Sequence, residues 1–487
     1  RDCLLSRGLG DVYKRQVLSL THIMQIFHSS IIFWAAWVII PIVMEIIPTI
    51  GNFVILIKKK IVSHKEKAVN FSPEITMIIP VYNQEHSLRR CIKSINDSSY
   101  PNDKIYILVV NNMSTDRSFE VFCECQEEFP ELTMNWVNSK QGKSKALNLG
   151  LFNSFGKYVI HIDSDGVLQR DAIRNMVVKF ERNADIDCMT GTIMTNPEMI
   201  DETKGFGLRL LRKLEFFEYA QAFLAGRNFQ SEFNNIFTLS GAFSAFRRST
   251  IMRTNMYNTD TVCEDTHVTF QIRDVLGESV VLCSEAIFYV DPIEDVNRLY
   301  IQRQRWQRGE IEVVHMFMKN RMNVVRGFFS DFIVRLVMFD HTFAFPRMIW
   351  YFALICLGFV NYPFSLIIQS VIIMYMLYVF TTALLYICIS LFLKPFKKLR
   401  RYYVRKIYLI FLLPLYNFVV FWFRFAGIIN SMKSKGSWKM QTFSDERDTA
   451  VGVVRSDFLR FTHGLDKVRR FVNYPEDELA GAHEETR

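Results

Sequence analysis

Residues 160–165 read Ile160-His161-Ile162-Asp163-Ser164-Asp165, an apolar run that ends in two carboxylates. A short apolar stretch of this kind is a buried strand, and its end delivers negative charge where nothing in the adjacent sequence compensates it. Burying that charge is costly unless a cation binds. Mg²⁺ or Mn²⁺ suits such a place, because hard cations take oxygen ligands and often bridge substrate phosphates. A metal there would neutralise a departing diphosphate. Working outward, β-rich runs at Ile75–Val81, Ile105–Val110, Leu132–Val137 and Tyr158–Ile162 alternate with helical patterns such as Ser87–Ile95 and Ser118–Phe129. That alternation predicts an α/β domain with a mostly parallel sheet covered by helices on both faces.

Ligands of such sheets lie beyond the carboxyl ends of the strands, and the remaining motifs sit there. Ile79-Pro80-Val81-Tyr82-Asn83-Gln84-Glu85 follows the first strand. Tyr82 can stack on a base, or the segment is an ordinary turn with a helix cap. Val109-Val110-Asn111-Asn112 follows the second, and Ser114 or Thr115 would cap the next helix. Gly142-Lys143-Ser144-Lys145 opens a helix whose electropositive N-terminus suits a diphosphate; a solvated lysine face is the plain alternative. Cys263-Glu264-Asp265 precedes a helical run, so one carboxylate can accept the proton of a hydroxyl, or both can simply favour the helix start. In Gln302-Arg303-Gln304-Arg305-Trp306, residues 302, 305 and 306 share one helix face. Arg305 offers a fork for phosphate and Trp306 a flat platform for a sugar ring. The competing reading is a membrane-interface anchor, with Arg298, Arg303 and Arg308 beside it.

The chain has 487 residues, 50% of them hydrophobic, with 43 Phe and a net charge of +9. The basic clusters Lys58–Lys60 and Lys394–Lys406 flank apolar stretches. Juxtamembrane charge held in the cytosol explains that placement better than nucleic-acid binding. The nine cysteines show no paired metal-ligand spacing and read as reduced thiols. Residues 1–16 resemble translated adapter sequence and are set aside. Residues 30–57 are long enough to cross a bilayer of about 30 Å as a kinked helix. Phe345–Val360, Phe364–Leu393 and Ile407–Ile429 read as three further segments within a membrane region at 345–429, joined in part by Asn361-Tyr362-Pro363. Residues 320–341 suit an amphipathic helix on the membrane surface. The stretch 431–487 is a polar tail. One segment before the middle domain and three after it put the C-terminus outside, whereas Lys433, Lys435 and Lys439 argue for the cytosol. Either the last segment is re-entrant or interfacial, or the count differs.

Taken in this order, the motifs resemble the processive type of glycosyltransferase family 2, which includes cellulose, hyaluronan and poly-N-acetylglucosamine synthases. Asp163-x-Asp165, Glu264-Asp265 and Gln302-x-x-Arg305-Trp306 carry the resemblance, which spans about residues 73–315. Among subgroups, the chain looks most like exopolysaccharide synthases of Gram-positive bacteria found beside exosortase-like genes. The resemblance implies a Rossmann-like GT-A catalytic domain at 73–315, facing the cytosol of a bacterial plasma membrane. It implies that Pro80, Tyr82, Glu85, Asn111, Lys143 and Asp163 bind the nucleotide, that Asp165 holds Mg²⁺ or Mn²⁺, and that Asp265, beside Glu264, is the catalytic base. Arg305 would hold the diphosphate, Trp306 would sit under the acceptor sugar, and Gln302 would bind nucleotide or substrate beside them. The donor would be a nucleotide-diphosphate sugar, with UDP favoured. The acceptor would be a growing glycan or a lipid-linked acceptor, with membrane lipid and accessory secretion subunits as further partners. One departure is Asn111-Asn112, where the family usually has paired aspartates; uracil and cytosine both remain open as the base. Two other functions stay in view: transfer of one sugar to a lipid carrier, and a catalytically inactive export scaffold.

Overall fold

The computed structural model describes residues 42, 46–62, 72–318, 344–359 and 363–433. The expectations for residues 1–16, for most of 30–57, for the amphipathic helix at 320–341 and for the tail beyond 433 lie outside the described residues.

The chain forms an eight-stranded mixed sheet. Its strands are β1 (Ile75–Val81), β2 (Ile105–Asn111), β3 (Thr133–Asn138), β4 (Tyr158–Ile162), β5 (Val167–Leu168), β6 (Cys188–Thr195), β7 (Phe243–Arg247) and β8 (Val280–Val290). Their spatial order is β3-β2-β1-β4-β7-β6-β8-β5. The first four strands run parallel. They alternate with α2 (Leu88–Asn96), α3 (Ser118–Glu128) and α4 (Lys143–Phe152), which follow α1 (Ile47–Val62). All seven residues of β1 are buried, as expected of a parallel strand covered on both faces. Met77 and Ile79 face a core with Leu88, Ile92 and Phe122, while Ile78 faces Ala146, Leu147 and Leu151 of α4. This is the α/β, GT-A architecture that the sequence predicts.

β7 departs from the parallel pattern. It runs antiparallel to both β4 and β6. The reversal has a functional consequence: the start of β7 meets the end of β4, so the Asp163 N–H donates to the Ala242 carbonyl at 3.1 Å.

Besides shorter helical turns, the further helices are α5 (Ala172–Arg182), α6 (Phe206–Tyr219), α7 (Glu264–Phe270), α8 (Val296–Met318), α9 (Ala344–Phe359), α10 (Phe364–Phe392), α11 (Lys397–Val404) and α12 (Leu409–Lys433). Residues 364–392 and 409–429 are long and apolar enough to cross a membrane by length and composition. A second core joins this apolar part to the sheet domain through Phe216, Phe217, Leu299, Tyr300, Tyr386 and Tyr403. Along α12, Leu409, Leu413, Tyr416, Val420, Phe423 and Arg424 are buried. That spacing is one helical stripe, and it covers almost the whole length of the helix. The opposite face exposes Phe411, Leu415, Phe418 and Val419. At Gly427 the two backbones nearly touch, since a Cβ there would lie 3.0 Å from the Gln304 Cα.

The seam between α6, α8 and α12 is closed by charge. Arg303 is fully buried. Its Nε and Nη2 donate to the two oxygens of Glu218 at 3.2 and 2.5 Å, and the Tyr416 hydroxyl donates to the same carboxylate at 2.7 Å. Arg303 is therefore an internal strut and not the surface anchor that its sequence context also allows. Breaking one side of such a pair strands the other charge, at a cost of about 3–5 kcal/mol. Arg303→Met is expected to lower the thermal midpoint of the detergent-solubilised chain by several degrees. Arg303→Met with Glu218→Gln should recover part of that loss; equal midpoints for the two variants would show that the pair is not the strut.

Candidate active site

The end of β4 is held by its neighbours. Ser164 Oγ donates to the Pro80 carbonyl at 3.1 Å, so the two strand-end motifs share one turn. Gly142 lies at φ +131°, a conformation that an L side chain rarely adopts, and this starts α4 with Lys143 directed at the acidic turn. Lys143 Nζ lies 2.5 Å from Asp163 Oδ1 and 3.2 Å from the Gly241 carbonyl, with Glu264 Oε1 at 3.9 Å. The expectation of two uncompensated carboxylates is corrected for Asp163, because the compensating ammonium comes from 20 residues earlier in the chain. Burial works against that ammonium, but Asp163 and Glu264 outweigh it and hold Lys143 above its ordinary value.

Among the described residues, Asp165 has no such partner. It opens onto a cavity, yet protein crowds it on its other sides. That desolvation, with the Asp163 charge beside it, pushes its carboxyl up to about 6. A carboxylate so disfavoured fits a divalent cation. No cluster of three or more His, Cys, Asp or Glu suited to a metal is found among the described residues, so a cation at Asp165 would complete its shell with phosphate oxygens and water. Asp291, at the end of β8, adds a charge that Asp165 senses. Arg90 grips Asp291 at 2.7 and 2.8 Å and the Asp165 carbonyl at 3.2 Å. The sequence reading did not single out Arg90 or Asp291; an aspartate ending an apolar strand, Tyr289-Val290-Asp291, was the available signal.

Asp265 lies in the first turn of α7, and both its oxygens are held by backbone. Gly241 N–H donates to Oδ2 at 3.1 Å and Thr266 N–H to Oδ1 at 2.7 Å. The neighbouring Glu264 is buried, and burial pushes it up to about 7 against the pull of Lys143. From α8, Gln302 donates to the Tyr219 hydroxyl at 3.4 Å and accepts from Arg303 at 2.5 Å. Trp306 packs against Tyr219 and Phe223 at centroid separations of 6.3 and 6.0 Å. The Arg303 guanidinium sits 4.3 Å over its ring, so one face of the expected sugar platform is already taken.

A cavity of about 310 Å³ gathers Lys143, Asp165, Glu264, Asp265, Arg305 and Trp306, with Gln302 at its wall. Glu218, Arg227 and Arg424 also line it, and none of these was a candidate from sequence. Pro80, Tyr82, Glu85, Asn111 and Asp163 are not among the lining residues; they occupy the adjoining ends of β1, β2 and β4. Tyr82 is 48% exposed. The Glu85 carboxylate accepts from Arg117 N–H at 3.1 Å while its own N–H donates to Asp116 at 2.9 Å. Asn111 is likewise a brace, accepting from Ser114 N–H at 2.8 Å and donating to Asn138 at 2.9 Å. Asn112 accepts from Gly142 N–H at 2.5 Å and so ties β2 to the loop that presents Lys143.

A GT-A sheet with carboxylates at the end of its fourth strand and on a later helix defines a glycosyltransferase framework. Residues 76–253 match the model of glycosyl transferase family 2. The poly-beta-1,6-N-acetyl-D-glucosamine synthase of Staphylococcus epidermidis is 26% identical over 244 residues, which cover 49% of this chain and 55% of that protein. The enzyme of the same name from Staphylococcus aureus (strain COL) is 24% identical over 290 residues, covering 58% and 64%. The chain thus spans little more than half the length of these curated relatives. Among solved structures, a mannosyltransferase from Pyrobaculum calidifontis in complex with GDP-Man and Mn2+ has a similar fold. Its TM-score is 0.54 at 16% identity, covering 84% of this chain and 99% of that one.

Gly241 offers a test of how tightly Asp265 is held. A Cβ there would lie 3.0 Å from Asp265 Oδ2. Gly241→Ala is expected to lower sugar transfer at least about tenfold through misplacement of that carboxylate, with the thermal midpoint shifted by no more than a few degrees. Unchanged transfer would show that the Gly241 contact is not needed.

Proposed function

We propose that the chain is an inverting glycosyltransferase that moves a sugar from a nucleotide-diphosphate donor, UDP-linked by preference, to a growing polysaccharide at the membrane. The convergence of Asp165, Asp265 and Trp306 on one cavity is the observation that supports this reading most. Asp265, with its oxygens oriented by Gly241 and Thr266, takes the proton of the acceptor hydroxyl. That oxygen forms its bond to the anomeric carbon as the bond to the diphosphate breaks, and the electron pair leaves with the nucleoside diphosphate. Mg²⁺ or Mn²⁺ at Asp165 would supply Lewis-acid neutralisation of that charge. Arg305 and Lys143 add fixed positive charge at the same end. Trp306 and Gln302 orient the acceptor. The names of the staphylococcal relatives support an N-acetylhexosamine polymer as product.

Purified chain given a panel of radiolabelled nucleotide sugars is expected to transfer one of them, to lose transfer on chelation, and to lose about 10³-fold or more of its turnover in Asp265→Asn. Full activity in that variant would remove the base assignment, and no transfer with any donor would remove the enzyme reading.

The buried stripe along α12 supports laying that helix in the membrane plane beneath the catalytic domain. Its exposed Phe411, Leu415 and Phe418 would then face lipid. With α9 and α10 as the crossing helices after the domain, the Lys394–Lys406 loop and Lys433 fall on the cytosolic side, which agrees with their charge. A cysteine introduced at Ser434 should resist a membrane-impermeant thiol reagent in intact cells and react after permeabilisation. Labelling of intact cells would reverse this topology.

A further inference from the structure

Arg227 is a buried cation with no part in the transfer described above. Between α6 and the short helix Arg227–Glu232 the backbone widens into a π-helical stretch, Ala220–Gly226. Such widened turns frequently mark functional sites. This one carries Ala222 and Phe223 into the cavity wall and ends at Arg227. Arg227 is only 6% exposed and lines the cavity with Gln230, three residues on along the same helix face. Its Nη1 donates to Thr190 Oγ1 at 3.1 Å, and its Cζ stands 4.5 Å over the Phe223 ring. No carboxylate forms an ion pair with it among the described residues. Nor is any of its nitrogens both sealed off and unpaired. The N–H groups that Thr190 does not take therefore open onto the cavity.

The neighbours of Arg227 locate it within the cavity. Burial pulls its guanidinium down to about 10, and Asp265 is the carboxylate whose charge opposes that pull. Lys143, by contrast, answers chiefly to Asp163 and Glu264. Thr190, which accepts from Arg227, also accepts from Ser240 N–H at 3.0 Å, and the next residue, Gly241, holds Asp265. On its other side Arg227 covers Phe223, which packs against Trp306. The guanidinium thus stands between the loop that orients the base and the aromatic wall. An anion held there would lie beside Asp265 and be repelled by it. A sugar instead offers neutral oxygens on adjacent carbons: one hydroxyl to donate to Asp265, and a second oxygen to accept from Arg227.

We propose that Arg227 binds the terminal acceptor sugar, donating to an oxygen beside the hydroxyl that Asp265 deprotonates. This rests on the glycosyltransferase reading and deepens it by naming the residue that orients the acceptor and the neutral oxygen it recognises. The rigid guanidinium fork fixes direction as well as distance. It turns the reacting hydroxyl towards Asp265 while the sugar lies against Phe223 and Trp306. Arg227 takes no part in the proton transfer or in holding the diphosphate.

The test uses the full chain in phosphatidylcholine nanodiscs with Mn²⁺. Calorimetry records two affinities in the same preparations: that for UDP, and that for a β-1,6-linked N-acetylglucosamine oligosaccharide with UDP present. That repeat is the one named for the staphylococcal relatives. The wild type is expected to bind the oligosaccharide saturably, Arg227→Met at least about tenfold more weakly, and Arg227→Lys in between, since an ammonium keeps a donor and loses the fork. UDP affinity should be unchanged throughout. Arg227→Gln, which keeps a donor for Thr190, serves if the methionine variant fails to fold. Loss of both affinities together would place Arg227 in the fold or at the diphosphate and overturn the assignment. Oligosaccharide binding indifferent to Arg227 would overturn it too, as would a wild type that binds UDP but not the oligosaccharide. If the wild type binds no UDP, it is the glycosyltransferase reading that fails.

Discussion

The buried contact between Arg303 and Glu218 is the constraint on which the rest of the structure depends. It lies where three parts of the chain meet: α6, which leaves the sheet domain, α8, which carries Gln302, Arg305 and Trp306, and α12, which supplies Tyr416. A buried ion pair adds little net stability over apolar packing, but it tolerates no other register, because each misfit leaves a charge unpaired. The same guanidinium covers the Trp306 ring. One ion pair therefore links α6, α8 and α12 and packs against the indole that lines the cavity.

A second device works within the sheet. Had β7 run parallel to β4, its start would have lain at the far edge of the domain. Reversed, it sets Gly241 and Ala242 beside Asp163 and allows the Gly241 amide to hold Asp265. Lys143 then reaches both Asp163 and the Gly241 carbonyl. Four acidic side chains from two distant segments can share a small volume because one ammonium and a few amides offset part of their repulsion. Asp165 keeps the uncompensated share, and that is where a divalent cation has the most to gain.

Much of the fold was legible in the sequence, for a physical reason. Parallel strands buried on both faces must be apolar throughout, so Ile75–Val81 and Tyr158–Ile162 could be bounded to the residue. Strands of the second half were harder. β7 and β8 lie among loops and short helices, and the antiparallel direction of β7 leaves no local mark. Of the site, the strand-end motifs were visible because turns and carboxylates interrupt apolar runs. What was not visible was pairing across long separations. Lys143 neutralises Asp163 from 20 residues away, and Arg303 finds Glu218 across 85. Glu85 and Asn111 also brace neighbouring loops, through bonds to Arg117 and Asn138 that no local pattern announces.

Arg424 shows why apolar helices repay attention in such a chain. An arginine among Phe, Trp and Val reads in sequence as an interface anchor, the same reading that Arg303 invited. The two have opposite outcomes. Arg303 is satisfied to the last oxygen of its partner, and its role ends with structure. Arg424 acts on the same carboxylate by its charge and lines the cavity that also holds Asp265, and its Nη1 is buried without a hydrogen-bond partner among the described residues. Selection for stability alone would favour leucine there, since an unsatisfied buried donor costs about 1–3 kcal/mol.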